Sequence, residues 1–303
     1  VGICGSDMHI YNGVNPVLKP PIVLGHEFGG IIEEISSNSK NNQIKIGQKV
    51  AVFPLINCGK CYYCINNMDN LCINQKIFGN DEISGGMQEK VAVPLKNLVK
   101  LPDSFDIIYS SLVEPVAVAT HVADDIKDSN IIIIGVGTIG LLIQQVCKKN
   151  NNSVITLDIN SLSLRKSDNL QSDLTINFKD PNKVKKILKF LGKNKIDTVI
   201  DCVGNKHTLE FSINIIRKKG NIILVGVPEN EINLDVVKIL CNEINLRGSY
   251  LYSFDDFYKA KEYIINNNID ISEIDLKIFN LFKTIDAFKY KNNHPDKKVI
   301  LKN

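Results

Sequence analysis

Four cysteines crowd one short stretch of this 303-residue chain, as Cys58-x2-Cys61-x2-Cys64-x7-Cys72. Zinc binds four thiolates at the corners of a tetrahedron, about 2.3 Å from the metal. Two-residue gaps let one tight loop supply three corners, and the longer gap returns the fourth. Gly59 supplies backbone freedom in the first gap. A closed four-thiolate site has no open position, so its expected role is structural. An iron–sulfur cluster is the other chemistry four such cysteines serve.

A second set of chemically able residues is dispersed. Gly2-Ile3-Cys4-Gly5-Ser6-Asp7-Met8-His9 opens the chain, Gly25-His26-Glu27 follows, and Glu114-Pro115 comes much later. Singly, a Cys or His more often packs in a core than binds a metal. Together, Cys4, His26, Glu27 and Glu114 offer one thiolate, one imidazole and two carboxylates. A catalytic zinc has three protein ligands and an exchangeable position for water or substrate. Asp7 is expected either to orient His26 through its ring N–H or simply to cap a turn. Ser6 lies close enough in sequence to Cys4 to reach an oxygen at such a metal. His9 could then carry the proton to solvent, the alternative for both being a solvated loop.

A third motif is a nucleotide cradle. Ile131–Ile134 runs into Gly135-Val136-Gly137-Thr138-Ile139-Gly140 and then into Leu141–Lys149. Glycines in this spacing, after a strand and before a helix, allow a tight turn, close approach to a pyrophosphate and helix–strand packing. The helix N-terminus offers N–H donors to phosphate. Asp158 ends the strand Val154–Asp158, eighteen residues after Gly140. An acid there hydrogen-bonds a ribose 2′-OH and repels a 2′-phosphate, which favours NAD over NADP. Val225-Gly226-Val227 follows another buried strand. It is expected to pass near the nicotinamide or to be an ordinary strand-end turn.

The elements that must position these groups change character along the chain. Residues 1–100 read as short strands and turns, with Val50–Phe53 and Val91–Val93 as β-rich runs bounded by Gly, Pro and Asn. From about residue 115, strand-like runs (Ile131–Ile134, Val154–Asp158, Thr198–Asp201, Ile222–Val225) alternate with helical segments (Ile139–Lys149, Val184–Leu191, Thr208–Arg217). That alternation predicts βαβ units and a parallel sheet. Beyond residue 250, Phe254–Ile265 has helical spacing and Val299–Leu301 reads as a closing strand. The composition, 44% hydrophobic and 23% charged, is that of a globular chain, and its length suggests about two domains. Lys+Arg 36 against Asp+Glu 33 gives a net charge of +3 with no basic stripe, so nucleic acid is not implied. The uncharged stretch Ser129–Cys147 is interrupted by Gly135, Gly137 and Gly140 and reads as strand plus helix, not as a membrane span. No signal peptide is legible, and tight Cys-x2-Cys spacing points to metal, so a reducing, cytoplasmic compartment is expected.

The two metal patterns and the cradle, in this order, resemble the zinc-dependent medium-chain dehydrogenase/reductase family, which includes alcohol, sorbitol, threonine and butanediol dehydrogenases. The resemblance covers nearly the whole chain. It implies an α/β fold with a GroES-like β-rich catalytic domain (residues 1–116 and 251–303) and a Rossmann domain with a doubly wound parallel sheet (117–250). It implies that the active site lies in the cleft between them. It implies a catalytic zinc on Cys4, His26 and Glu27, with Glu114 binding directly or through water, and a structural zinc on Cys58, Cys61, Cys64 and Cys72. Ser6 and His9 match the proton relay. Thr120 and Ile139 fall where family members approach the nicotinamide and pyrophosphate. The implied activity is hydride transfer between a secondary alcohol (polyol, sugar acid or vicinal diol) and NAD. Threonine oxidation is the alternative within the class, and a non-catalytic zinc- and nucleotide-binding regulator the alternative outside it. A homodimer or tetramer is implied, with a small-molecule alcohol as substrate and no nucleic acid or membrane partner.

The chain departs from the family in several places. The few dozen residues that precede the Gly-Ile-Cys-Gly-Ser-Asp motif are missing, so the chain reads as beginning downstream of its true start. Sorbitol-type enzymes place a Tyr directly after the relay His, where Ile10 stands before Tyr11. They carry an Arg near position 251, where this chain has Leu251 followed by Tyr252. A basic residue often follows the ribose acid by five positions; here that position is Ser163, with Arg165 two further on.

Overall fold

Short apolar runs broken by Pro, Gly and Asn cannot build a large sheet, and the first part of the chain accordingly forms several small ones. The computed structural model describes residues 1–14, 21–36, 44–80, 83–228 and 230–303. It falls into two units: Val1–Ala117 with Tyr252–Asn267 and Ile274–Asn303, and Val118–Leu251 with Asn268–Glu273.

The first unit begins with β1 (Gly2–Ile3) and helix α1 (Gly5–Tyr11). Then come β2 (Gly29–Ile31), β3 (Lys49–Val52), β4 (Leu55–Ile56), the short helix α2 (Tyr62–Ile65), β5 (Lys76–Ile77) and β6 (Leu98–Lys100). Strands β2, β3 and β6 form an antiparallel sheet, and β4 pairs with β5. Phe28, Val52 and Phe78 make a local core here. The expected strand Val91–Val93 does not form a ladder among the described residues. Val91 and Val93 instead pack their side chains on that core, and Pro94, which has no N–H to donate, follows directly. The alternation was a packing signal rather than a pairing signal.

Helix α3 (Val113–Ala123) leads into the second unit. There β7 (Asn130–Ile134), α4 (Thr138–Lys149), β8 (Ser153–Asp158), α5 (Ser161–Asn169), β9 (Leu174–Asn177) and α6 (Lys183–Leu191) follow. They continue as β10 (Thr198–Asp201), α7 (Lys206–Ile215), β11 (Asn221–Leu224), α8 (Val236–Cys241) and β12 (Asn245–Gly248). The sheet order is β12-β11-β10-β7-β8-β9 and every pairing is parallel. This is the doubly wound Rossmann order, which reverses between β7 and β10. Ile131, Ile132, Ile133 and Ile134 are all buried, as a strand covered by helices on both faces requires. No helix among the described residues is long and apolar enough to cross a membrane.

Helix α9 (Phe254–Ile265), β13 (Leu276–Asn280), α10 (Thr284–Asn293) and β14 (Lys298–Lys302) return to the first unit. There β14 pairs antiparallel with β1 and parallel with β13. The closing strand thereby fixes the segment that carries Cys4.

Candidate active site

Cys4 is the N-cap of α1, and its backbone N–H donates to Asp7 Oδ2 at 2.8 Å. An acid at the third helical position is a standard device for holding an N-terminus. Here it also faces His26, with Asp7 Oδ1 3.7 Å from His26 Nδ1. That oxygen is buried and makes no hydrogen bond among the described residues. A buried acceptor left open calls for an explanation. An imidazole that donates from Nδ1 while its other nitrogen binds a metal would supply one. Ser6 and His9 sit three residues apart on α1 and so share a face, Ser6 half-buried and His9 exposed.

Donor atoms of Cys4, His26 and Glu27 lie within 4.8 Å of one another, with Glu27 buried. Around them lie the carboxyls of Asp7 and Glu114 and the ammonium of Lys298. Burial alone lowers the His26 pKa, but Asp7, Cys4 and Glu114 outweigh it and hold the ring well above its usual range. Burial and the nearby Glu27 carboxylate push Glu114 up to about 7. One thiol, one imidazole and one carboxyl this close form a donor set that a divalent cation fits. Glu114 lies outside the tight group of three. Its Oε1 accepts from the Tyr252 hydroxyl at 2.8 Å, and both side chains are buried. Phe53 and Phe257 enclose that hydroxyl's ring, with centroids 6.0 Å from it.

One cation is already present. Lys298 Nζ donates to Glu27 Oε2, and the two are only 4% and 2% exposed. Burial would raise the Glu27 pKa; Lys298 and His26 outweigh it and hold it low. Removing one member of such a pair strands the other charge. In urea unfolding of the metal-free protein at neutral pH, Lys298→Met is expected to lose about 3–5 kcal/mol. The deficit should shrink in acid. The depressed Glu27 contributes its stability above the normal carboxylate range and loses it as pH falls, while the stranded Glu27 of the variant is relieved by protonation. An equal deficit at both pH values would reject this account. Lys298 carries no sequence motif, and Tyr252 stood out only as the neighbour of Leu251, with nothing local to tie it to Glu114.

The four clustered cysteines also converge, their sulfurs within 4.8 Å of one another. Backbone N–H groups of Lys60 and Cys61 pull the Cys58 thiol down to about 6, whereas burial and the neighbouring sulfurs push Cys64 up to about 12. Four thiolates this close cannot coexist without a cation. All eight cysteines are free thiols.

In the second unit, Gly135 takes φ +86 between β7 and α4, and a Cβ on Gly140 would strike the Gly135 carbonyl. A Cβ on Gly137 would meet no described residue beyond its chain neighbours within 4 Å, so the space above it is open. Open space at the N-cap of α4 can admit a phosphate group to its backbone N–H donors. Thr138 and Ile139 form the half-buried first turn of that helix. Asp158 Oδ2 accepts from the Val136 N–H and Oδ1 from the Asn160 N–H, each at 2.8 Å. The acid thus braces the glycine turn while its remaining lone pairs stay open. Val225 and Gly226 are half-buried and Val227 is 80% exposed just beyond β11.

Comparison with known proteins agrees with this architecture. Residues 1–103 match the alcohol dehydrogenase GroES-like domain and residues 138–266 the zinc-binding dehydrogenase domain. A sorbitol dehydrogenase of Bacillus subtilis is 30% identical over 297 residues, covering 95% of this chain and 83% of that protein. An L-idonate 5-dehydrogenase of Vitis vinifera is 29% identical over 285 residues, covering 90% and 77%. Among solved structures, an alcohol dehydrogenase of Escherichia coli in complex with NADH superposes with a TM-score of 0.90 at 27% identity, covering 100% of this chain and 89% of that one. By sequence and by fold, the chain belongs to the zinc-dependent medium-chain dehydrogenase/reductase family.

Proposed function

We propose that this protein oxidises a secondary alcohol of the polyol, sugar-acid or vicinal-diol type with NAD, or runs the reverse reduction. The observation that carries the reading is the convergence of Cys4, His26 and Glu27, whose donor atoms lie within 4.8 Å of one another with Glu27 buried. These three would hold the catalytic zinc, with Glu114 beside it. Cys58, Cys61, Cys64 and Cys72 would hold a structural one. When bound, the metal supplies Lewis acidity toward the substrate oxygen and the dinucleotide supplies the hydride acceptor. Asp7 orients the His26 ring through Nδ1, leaving Nε2 to ligate. Ser6 Oγ would relay the proton, accepting the substrate's hydroxyl proton as its own passes on toward His9, which is exposed on the same helix face and releases a proton to solvent. Gly135, Gly137, Thr138, Ile139 and Gly140 would hold the pyrophosphate, and Val225, Gly226 and Val227 would face the nicotinamide.

NADH formation by the zinc-loaded protein should be followed against polyols, sugar acids, vicinal diols, simple secondary alcohols and threonine. One clear responder with NAD supports the reading and names the substrate branch. Silence with a single zinc per chain would favour a non-catalytic zinc- and nucleotide-binding protein instead.

Asp158 is the residue expected to choose NAD over NADP. Asp158→Ser should raise KM for NAD about tenfold, the worth of one charge-assisted hydrogen bond, and lower the KM for NADP by removing charge repulsion. Steady-state kinetics with both cofactors checks it, and an unchanged ratio would exclude Asp158 from the ribose site.

A homodimer through the β12 edge of the sheet completes the proposal. Val236, Val237 and Leu240 on the neighbouring α8 are 65%, 72% and 72% exposed, unusual for three aliphatics on one short helix. Sedimentation velocity on the wild type and on Leu240→Asp tests it, a dimer that becomes monomeric being the expected result. We also propose a reducing, cytoplasmic setting, in keeping with the tight Cys-x2-Cys spacing.

A further inference from the structure

The two strand-end turns expected from the sequence, Gly135–Gly140 after β7 and Val225–Val227 after β11, have a third between them. It is Cys202–Gly204, after β10, and the three interlock. A Cβ on Gly135 would stand 2.6 Å from Val203 Cγ2. A Cβ on Gly204, which has φ +72, would collide with the Gly226 carbonyl, and one on Gly226 with the Val203 backbone. The Cys202–Gly204 and Val225–Val227 turns meet backbone to backbone, and the Val203 side chain abuts Gly135, so the three turns pack directly on one another.

Asp201 is the hub of this arrangement. It is the last residue of β10 and is fully buried. Its Oδ1 accepts from the N–H groups of Val203 at 2.9 Å and Gly204 at 3.0 Å. Its carbonyl oxygen accepts from the N–H groups of Val225 at 2.9 Å and Gly226 at 3.0 Å. Asp201 Oδ2 has no partner among the described residues, so the carboxylate is held by Oδ1 alone. A buried carboxylate is costly to desolvate, and a strand end can be closed without one. What the charge adds is strength, since bonds to an ionised acceptor are roughly twice those to a neutral one.

We propose that Asp201 is the positioning residue of the cofactor cradle, one side chain and one carbonyl setting the Cys202–Gly204 and Val225–Gly226 turns against Gly135. This rests on the dinucleotide reading above. Asp201 touches neither substrate nor zinc in this role. Its loss should therefore appear in cofactor affinity and not in the metal site or in hydride transfer at saturating NAD.

The test uses the zinc-loaded full chain, with NADH as probe by fluorescence titration, and steady-state kinetics in NAD. Asp201→Ala removes the acceptor for two N–H groups. It should raise the NADH Kd and the KM for NAD together by about tenfold, with kcat within about twofold and zinc content unchanged. Asp201→Asn keeps an oxygen in place and should recover affinity to within about threefold of wild type. Thermal melting shows which variants fold. Should Asp201→Ala not fold, Val203→Gly takes its place, since it loosens the same turn and leaves Asp201 intact; a several-fold rise in NADH Kd supports the proposal. NADH binding as tight as wild type in the folded variants overturns it, as does a fall in kcat without a change in affinity. A wild-type protein that binds no NADH would overturn the cofactor reading itself, a result readily told apart from the first.

Discussion

Cys4→Ala is expected to lower kcat/KM by about a thousandfold or more while NADH still binds. The thiolate is the one ligand of the proposed site that neutralises metal charge through sulfur, and Cys4 sits at the point where β1 gives way to α1. Lewis acidity toward a reacting oxygen is worth several kcal/mol, and each 1.36 kcal/mol is tenfold in rate. Zinc content should fall from two per chain to one, because the Cys58–Cys72 cluster is separate in sequence and in space. The cradle around Gly137 belongs to a different unit of the fold, so NADH titration should give a near-wild-type Kd. Two independent readouts therefore move in opposite ways. An undiminished rate, or two zincs retained, would remove Cys4 from the site.

Cys61→Ser is the second large effect, and it acts on stability rather than on chemistry. The loop from Cys58 to Cys72 contains only the four-residue helix α2 and one short 3-10 turn, and α2 buries none of its residues. Tyr62, Ile65, Leu71 and Ile73 all face solvent. Such a lobe has almost no core of its own, so metal must supply what burial does not. Loss of one thiolate should release one zinc and lower the melting midpoint by at least about 5 °C. The wild type should show a matching pH dependence. Zinc binding needs thiolates, and the Cys58 thiol is depressed to about 6 while Cys64 is raised to about 12 without the metal. Loading the site must therefore expel protons, and zinc retention should weaken as the pH drops. Metal analysis after dialysis across a pH series measures this directly. Retention that is flat through the acid range, or a Cys61→Ser variant that melts with the wild type, would mean the lobe stands without metal.

The clustered cysteines and the glycine turn were legible in the sequence because their spacing is local, whereas the dispersed Cys4, His26, Glu27 and Glu114 were read as one site only through the resemblance. A Cys-x2-Cys-x2-Cys run and a glycine turn between a strand and a helix each close over a few residues, so their geometry follows from backbone dimensions alone. The alternation of the second unit was legible for a similar reason: strands such as Asn130–Ile134 are apolar throughout, as burial on both faces demands. Val91–Val93 shows where this fails. The same period of two serves a strand or an extended segment laid on a core, and only the presence of a partner strand decides between them.

Taken by itself, the sequence determined which atoms are available for chemistry in this protein: four clustered thiols, a dispersed Cys, His and Glu set, a glycine cradle and its acid. Tertiary structure alone decided what surrounds them. Lys298 reaches Glu27 across 271 positions and Tyr252 reaches Glu114 across 138. Asp201 controls turns that two different strands deliver. Such partners leave no periodicity or spacing to read, because burial and charge pairing depend on which segments the completed fold brings side by side, and that is settled by the packing of the whole chain.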